Sequence, residues 1–249
     1  MKVDQLWPED GNVEFKGVTL RYRPTTQPVL KNLSFQVLPG TKVGIVGRTG
    51  AGKSTICISM SRIVELFEGS VEIDGVDISQ IDLQKLREKV TVIPQDPTLF
   101  TGSLKFNLDP FDRTDDEKME SLLRKAGLSD LLNRSENADK DERGINMKIT
   151  EGGKNLSAGE RQLICICRAI LRKNKIVILD EATANIDVIT EQKIQRLIDE
   201  EFTGSTVVTI AHRLNTIIKS DYVLVLSRGE LVEYDTPQNL SQNKNSEFA

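Results

Sequence analysis

A glycine-rich segment, Gly47 to Thr55, has the residue types and the spacing that suit phosphate binding. It reads Gly-Arg-Thr-Gly-Ala-Gly-Lys-Ser-Thr and lies between an apolar run, 42–46, and a helix-like stretch, 54–64. Glycines let successive backbone N–H groups turn onto phosphate oxygens, and the following helix N-terminus favours negative charge. Lys53 adds a positive charge, and the Ser54 hydroxyl suits Mg²⁺, which prefers oxygen ligands. The segment therefore predicts a nucleoside triphosphate site.

Two carboxylates, Asp180 and Glu181, follow the aliphatic run 176–179. Open α/β sheets bind ligands at the carboxyl ends of their strands, so these side chains are placed where a metal and a water would be handled. Asp180 suits the Mg²⁺ shell, directly or through water, and Glu181 suits polarising the water that attacks a γ-phosphate. The alternative is a strand that ends in a solvated acidic turn.

The segment Leu156 to Leu163 places Ser157 and Gly159 at the front of an apolar helix. It is a second candidate phosphate cradle. Ser157 could equally be an ordinary helix N-cap, with Glu160 three residues later completing a capping box. The residues of this segment alone favour the capping interpretation.

The elements that must position these residues alternate along the chain. Strand patterns at 12–22 and 33–38 predict a small antiparallel sheet, and 90–93, 176–180, 206–210 and 222–226 read as further strands. Helical stretches at 161–172, 189–201 and 214–219 are interleaved with the later strands, which indicates a parallel sheet with crossover helices. Residues 96 to about 155 lose strand signals, and 115–126 has helical periodicity.

These patterns predict an α/β fold with an N-terminal antiparallel β subdomain, a parallel-sheet core and a mostly helical insertion. We expect a linker at 1–11, one nucleotide-binding domain at 12–240 with a helical subdomain at about 96–172 inserted in the core, and a polar tail at 241–249 that frays.

Composition narrows the class of protein. The 249 residues carry a net charge of −4, and the 33 basic residues are scattered, so no nucleic-acid partner is expected. The three cysteines, Cys57, Cys165 and Cys167, lie on apolar helix-like segments and are expected to be buried free thiols rather than disulfide or zinc ligands. No apolar run approaches the roughly 18 residues of a spanning helix, so any membrane part is expected outside this chain.

The order and spacing of the motifs resemble the nucleotide-binding domain of an ATP-binding cassette (ABC) transporter across 12–240. The stretches 95–103 and 107–111 narrow the resemblance to the second such domain of the multidrug-resistance-associated, or conjugate-exporter, subfamily. The resemblance rests on Gly47 to Thr55, Gln95 in Ile93-Pro94-Gln95-Asp96, Leu156 to Glu160, Asp180-Glu181, Ala184-Asn185-Ile186-Asp187 and His212 in Ala211-His212-Arg213.

The resemblance implies roles for further residues. Tyr22 would stack on adenine, Gln95 would sense Mg²⁺ and the water, and His212, the only histidine, would contact the γ-phosphate. The alternatives are a core aromatic for Tyr22, a plain turn residue for Gln95, and a packed or exposed ring for His212. Ser157 and Gly159 would face a partner's nucleotide. The phosphates of Mg·ATP would be held by Gly47, Thr49, Gly50, Ala51, Gly52, Lys53, Ser54 and Thr55, with Ser54, Gln95 and Asp180 at the metal.

The resemblance also implies partners and a location. Two such domains pair head to tail, and each ATP lies between one phosphate loop and the other domain's signature, which here is Leu156 to Glu160. Membrane domains outside this chain would be driven by the pair, at the cytoplasmic face of a membrane. The segment from Gln95 to about Phe106 is the expected contact with them, with core packing as the alternative for its apolar residues.

Two positions depart from the family pattern. Glu160 replaces the usual glutamine of the signature, which puts a carboxylate near the partner's nucleotide unless it points into solvent or pairs with Arg161. Asn185 stands where the family often has serine, and no functional conclusion follows from it. Glu181 is intact at the position expected of the catalytic base, so the chain is expected to supply the phosphate loop of the hydrolysing site.

The leading hypothesis is an ATPase domain that powers transport. One alternative is a nucleotide-sensing regulatory module in which hydrolysis is incidental. Another is a soluble ABC ATPase that acts on nucleic acid or ribosomes, which the net charge and the Asn107 to Phe111 stretch argue against.

Overall fold

The structure, a computed structural model, describes residues 4, 6–133, 143–182, 186–210, 214–243 and 245–248. By its internal contacts the chain divides into two compact units. The core unit comprises Met1–Val92, Asn174–Glu181 and Thr203–Ala249, and the helical unit comprises Ile93–Lys173 and Ala182–Phe202.

The strands and helices follow the α/β alternation that the sequence predicts. The strands are β1 (Val13–Leu20), β2 (Leu30–Val37), β3 (Lys42–Gly47), β4 (Glu68–Ile73), β5 (Val76–Asp77), β6 (Val90–Ile93), β7 (Gly102–Ser103), β8 (Lys148–Ile149), β9 (Ile176–Asp180), β10 (Thr206–Ile210), β11 (Tyr222–Ser227) and β12 (Glu230–Asp235). The helices are α1 (Lys53–Met60), α2 (Leu83–Lys89), α3 (Leu104–Leu108), α4 (Asp116–Lys125), α5 (Ser129–Asn133), α6 (Ala158–Arg172), α7 (Val188–Glu201), α8 (Leu214–Ile217) and α9 (Pro237–Gln242).

The core unit contains both of the larger sheets. One has the order β2-β1-β4-β5, and its neighbours pair antiparallel. The alternating residues of β1 and β2 bury one face, where the Phe15 and Phe35 rings stack with centroids 4.4 Å apart. This is the N-terminal antiparallel subdomain expected from the period-two pattern.

The other sheet has the order β12-β11-β3-β10-β9-β6. Strands β11, β3, β10 and β9 are parallel, whereas β12 returns antiparallel along β11. The central strands are continuous apolar runs because a parallel sheet is buried on both faces. The carboxyl ends of β3 and β9 therefore lie at the same edge, and the segments that follow them are Gly47 to Thr55 and Asp180-Glu181.

The helical unit is built on α6, which buries Leu163, Ile164, Ile166 and Ile170. Arg168 on this helix donates from Nε to the Asn107 carbonyl at 2.6 Å, and the Asn107 side chain pairs with both backbone groups of Phe100. In this segment Leu99 and Leu104 are buried, whereas 57% of Phe100 and 46% of Phe106 is exposed. The expected core packing therefore holds for the two leucines, whereas the two phenylalanines are exposed.

Several features differ from the sequence-based expectations. The helical unit contains a two-stranded sheet, β7 with β8, whose strands are too short to leave a periodic pattern. It also includes α7, which the sequence places with the core. Within the expected linker, Trp7 is 5% exposed and donates from its indole nitrogen to the Ile73 carbonyl at 3.0 Å.

The C-terminal segment is also more ordered than its polar sequence predicts. The Ser246 hydroxyl donates to a Glu233 carboxylate oxygen at 2.7 Å, and the Glu247 N–H donates to the other at 3.2 Å. Phe248 packs against the cluster of Ile217, Val223, Val225 and Leu240. The Glu233 side chain, 13 residues before Ser246, thus holds a segment whose polar composition predicts a frayed end.

The three cysteines are free and buried, as expected. Burial raises the pKa of each thiol, and for Cys167 the pKa is about 12. None of the helices in the described part of the chain is both long enough and apolar enough to cross a bilayer.

Candidate functional site

The phosphate loop connects β3 to α1, and its glycines are required by the backbone. Gly47 has φ of +152° and Gly52 has φ of +103°, values that side chains other than glycine rarely adopt. A Cβ on Gly47 would lie 2.3 Å from the Leu226 carbonyl oxygen, and one on Gly52 would lie 2.8 Å from Leu30 Cδ2. Strand β11 and the first residue of β2 therefore approach the loop so closely that only glycine fits.

Lys53 lies inside this loop. Its side chain is 7% exposed, and Nζ donates to the Gly47 carbonyl at 2.9 Å and to the Arg48 carbonyl at 3.3 Å. The loop thus wraps around the Lys53 ammonium group, and two neutral backbone carbonyl oxygens accept its hydrogen bonds. A fixed positive charge at the N-terminus of a helix attracts phosphate.

Ser54 and Asp180 form the candidate metal site. The Ser54 hydroxyl, in the first turn of α1, lies 3.4 Å from Asp180 Oδ1 at the end of β9. A hydroxyl and a carboxylate are the hard oxygen ligands that Mg²⁺ takes, usually together with waters and substrate phosphates. The donor set therefore fits Mg²⁺ beside bound phosphate.

Glu181 follows β9 directly and has a strained backbone. Its φ of +48° is in the left-handed region, which costs roughly 1–2 kcal/mol for a side chain of this kind. The Glu181 N–H donates to the Ile210 carbonyl at 3.0 Å, which ties it to the end of β10. Strain of this kind clusters at functional sites, because surrounding structure must hold the residue there.

Tyr22 lies just beyond β1 and is 52% exposed. Its hydroxyl is 2.9 Å from the Thr55 hydroxyl at the end of the phosphate loop. The alternative that Tyr22 is a core aromatic is therefore wrong. The ring has an exposed face, and its hydroxyl fixes one edge of it to the phosphate loop. The sequence spacing does not reveal this contact between Tyr22 and Thr55.

In the helical unit, Ser157 caps α6 in the way that the residues alone favoured. Its hydroxyl accepts from the Glu160 N–H at 3.2 Å, and a Glu160 carboxylate oxygen accepts from the Ser157 N–H at 2.8 Å. Glu160 is thus turned back onto its own helix, while Arg161 donates to the Leu156 carbonyl. The Glu160 carboxylate therefore accepts a hydrogen bond within its own helix cap. This orientation gives the carboxylate a partner other than a nucleotide, although it stands at the signature position where the family usually has glutamine.

The cap of α6 borders a cavity of about 360 Å³ within the helical unit. Its lining includes Ser157, Gly159, Asp187, Thr190 and Lys193. The spacing of Leu156 to Glu160 identifies only part of this cavity, since Thr190 and Lys193 come from α7 and have no local motif.

Two further residues were expected at the site. Gln95 belongs to the helical unit, where it is exposed at a bend. His212 lies outside the described residues, as do Ala184 and Asn185. The structure thus brings together Tyr22 with the phosphate loop and Ser54 with Asp180 in the core unit, and Ser157 with Gly159 in the helical unit.

A second cavity, of about 1120 Å³, borders the phosphate loop in the core unit. Its walls include Arg48, Thr49, Arg228 and Phe248. Sequence reasoning missed the contribution of Phe248, because nothing in a polar tail indicates that it returns to the loop.

Comparisons with known proteins agree with this geometry. A family model described as ABC transporter matches residues 30–184. The chain is 48% identical over 242 residues to ABC transporter C family member 2 of Dictyostelium discoideum, covering 97% of this chain and 17% of that protein. It is 47% identical over 240 residues to rat ATP-binding cassette sub-family C member 2, covering 96% of this chain and 15% of that protein.

A solved structure of a bacterial Atm1-family ABC exporter with ATP bound has a TM-score of 0.86 and 32% identity, over 95% of this chain and 41% of that one. The predicted fold class is thereby confirmed. The chain spans about a sixth of the length of these curated relatives.

Proposed function

Because the chain belongs to the ABC transporter family, we propose that it is the ATP-hydrolysing domain of a transporter, and that its phosphate loop serves the hydrolysing site. Domains of this family bind ATP with Mg²⁺. The observation that carries the proposal is the joining of two chain segments at one sheet edge: the phosphate loop with Lys53 and Ser54, and the end of β9 with Asp180 and the strained Glu181.

The residues divide into binding and catalysis. The loop N–H groups and Lys53 hold the phosphates, and Tyr22 offers its exposed ring to the adenine. Mg²⁺, when bound to Ser54 and Asp180, offsets phosphate charge. Glu181 orients and polarises the attacking water as general base. By the resemblance to the family, Gln95 would sense Mg²⁺ and the attacking water, and His212 would contact the γ-phosphate.

The rest of the proposal concerns the whole protein. A second nucleotide-binding domain pairs head to tail with this chain, and its signature closes the ATP at Gly47 to Thr55. This chain's Ser157 and Gly159 face the ATP of the partner domain. Membrane domains of the same transporter receive the resulting motion at the exposed Phe100 and Phe106, on the cytoplasmic face of the membrane.

Calorimetry of this chain with Mg·ATP tests the binding part of the proposal. Lys53→Ala removes charge-assisted hydrogen bonds of about 1.5–3 kcal/mol, which corresponds to a Kd about 10- to 150-fold higher. The control is Lys219→Ala, which removes an exposed lysine of the same unit. Equal affinity for ATP in the Lys53→Ala variant and the wild type would contradict the assignment of the phosphate loop.

A further inference from the structure

The N-termini of α6 and α7 are in direct contact through Gly159 and Thr190. A methyl group placed on Gly159 would lie 2.9 Å from Thr190 Cγ2 and 3.4 Å from its hydroxyl oxygen. Contacts below 3.0 Å do not occur for real side chains, so alanine at this position would have to displace Thr190. Gly159 is in the helical first turn, where alanine is otherwise the better helix former. At this position the space beside Thr190, rather than the backbone conformation, disfavours a side chain.

Thr190 also holds the cap of α7. Its N–H donates to Asp187 Oδ1 at 2.9 Å. Hydrogen bonds from this N–H and then from the Thr190 hydroxyl lower the pKa of Asp187. The polar groups of Thr190 thus hydrogen-bond to Asp187, and its methyl group lies beside Gly159.

The two capped ends share one cavity. Ser157 and Gly159 at α6, and Asp187 and Thr190 at α7, line the same space of about 360 Å³. Ser157 is fixed to α6 by its capping box with Glu160. Thr190 therefore links Asp187, to which it donates, with Gly159, which lies two residues after Ser157.

We propose that Thr190 is a positioning residue that couples the Asp187 segment to the signature segment Ser157 to Gly159. Its amide and hydroxyl hold Asp187, and its methyl group occupies the space beside Gly159. The proposal rests on the proposed function, because the signature segment acts on nucleotide held by a partner domain. Gly159 then has a role within its own domain in addition to any contact with that nucleotide.

Thermal unfolding of this chain tests the contact itself. Gly159→Ala should lower the unfolding midpoint by roughly 2–6 °C, as expected for overpacking at this chain length. Adding Thr190→Ser removes the obstructing methyl group, keeps the hydroxyl, and should restore the midpoint. Thr98→Ser, which removes a methyl group from an exposed threonine of the same unit, should not restore it. A midpoint raised by Gly159→Ala alone would overturn the contact.

ATP hydrolysis by the full-length transporter tests the positioning role. Thr190→Val keeps the branched shape and the backbone N–H that donates to Asp187 but loses the hydroxyl hydrogen bond to it, and it should slow hydrolysis about 10- to 100-fold. Thr190→Ser should retain hydrolysis within about threefold. Gly159→Ala should lose activity, and Gly159→Ala with Thr190→Ser should recover most of it.

Three results would overturn the positioning role. The first is wild-type hydrolysis by Thr190→Val, and the second is equal loss by Thr190→Ser and Thr190→Val. The third is a restored unfolding midpoint without restored hydrolysis in the double variant Gly159→Ala, Thr190→Ser. In that case Gly159 would act only through its contact with the nucleotide. Absence of ATP hydrolysis in the wild type would instead contradict the proposed function, and the unfolding results would stand independently.

Discussion

At the scale of single residues, the proposed nucleotide site uses side chains that are already held by hydrogen bonds within the protein. Lys53 is fixed by two loop carbonyls, and Tyr22 is fixed by its hydroxyl contact with Thr55. Both groups would pay little additional conformational entropy on binding, because their side chains are already ordered.

The Tyr22 hydroxyl contacts Thr55, so the roles of the ring and of the hydroxyl can be tested by separate substitutions. Tyr22→Ala removes the stacking face and should raise the Kd for Mg·ATP about 5- to 150-fold, since stacking of a base on an aromatic ring contributes roughly 1–3 kcal/mol. Tyr22→Phe keeps the face and loses only the bond to Thr55, so its Kd should change by less than about threefold. Equal weakening by both variants would show that the hydroxyl, rather than the ring, binds the nucleotide.

At the scale of elements, the sequence predicts the local structure of the candidate site well wherever one segment contains the whole signal. The loop between β3 and α1, the carboxylates after β9 and the cap of α6 each combine a local motif with a local structure. Contacts between segments distant in sequence leave no such signal. The pairing of Gly159 with Thr190, the burial of Trp7 and the return of Phe248 to the phosphate loop all depend on tertiary packing, which no local pattern encodes.

The cysteines buried on α1 and α6 predict how the stability of the fold depends on pH. Burial raises the pKa of Cys57 and Cys167, so both thiols stay protonated in the folded state as the pH rises. Unfolding exposes thiols with a pKa near 8.5, so this contribution to stability is complete below about pH 8.5 and is lost as the pH rises towards 12.

Thiol titration checks this directly. At pH 8 the native chain should react with a thiol reagent far more slowly than the denatured chain, which should show all three thiols. Urea unfolding at pH 7 and pH 10 should give a lower free energy of unfolding at the higher pH. Cys167→Ser should reduce that pH dependence, and rapid reaction of native Cys167 would contradict its burial.

At the scale of the whole molecule, we propose that the phosphate loop and the signature of this chain belong to different ATP sites. In the core unit, Ser54, Asp180 and Glu181 come together at one sheet edge, whereas Ser157 and Gly159 lie in the helical unit. The sequence predicts this division through its resemblance to the family, since spacing alone cannot show that a second domain completes each site. It also predicts that hydrolysis depends on Glu181 far more than binding does.

The most direct test is hydrolysis and binding of ATP by the full-length transporter with Glu181→Gln. Loss of a general base typically lowers a rate about 10²- to 10⁴-fold while leaving ground-state binding intact. We therefore expect hydrolysis at this site to fall by that factor while the Kd for Mg·ATP stays within about threefold of wild type. Hydrolysis at the wild-type rate would contradict the assignment of Glu181 as the base and of this chain as the hydrolysing half.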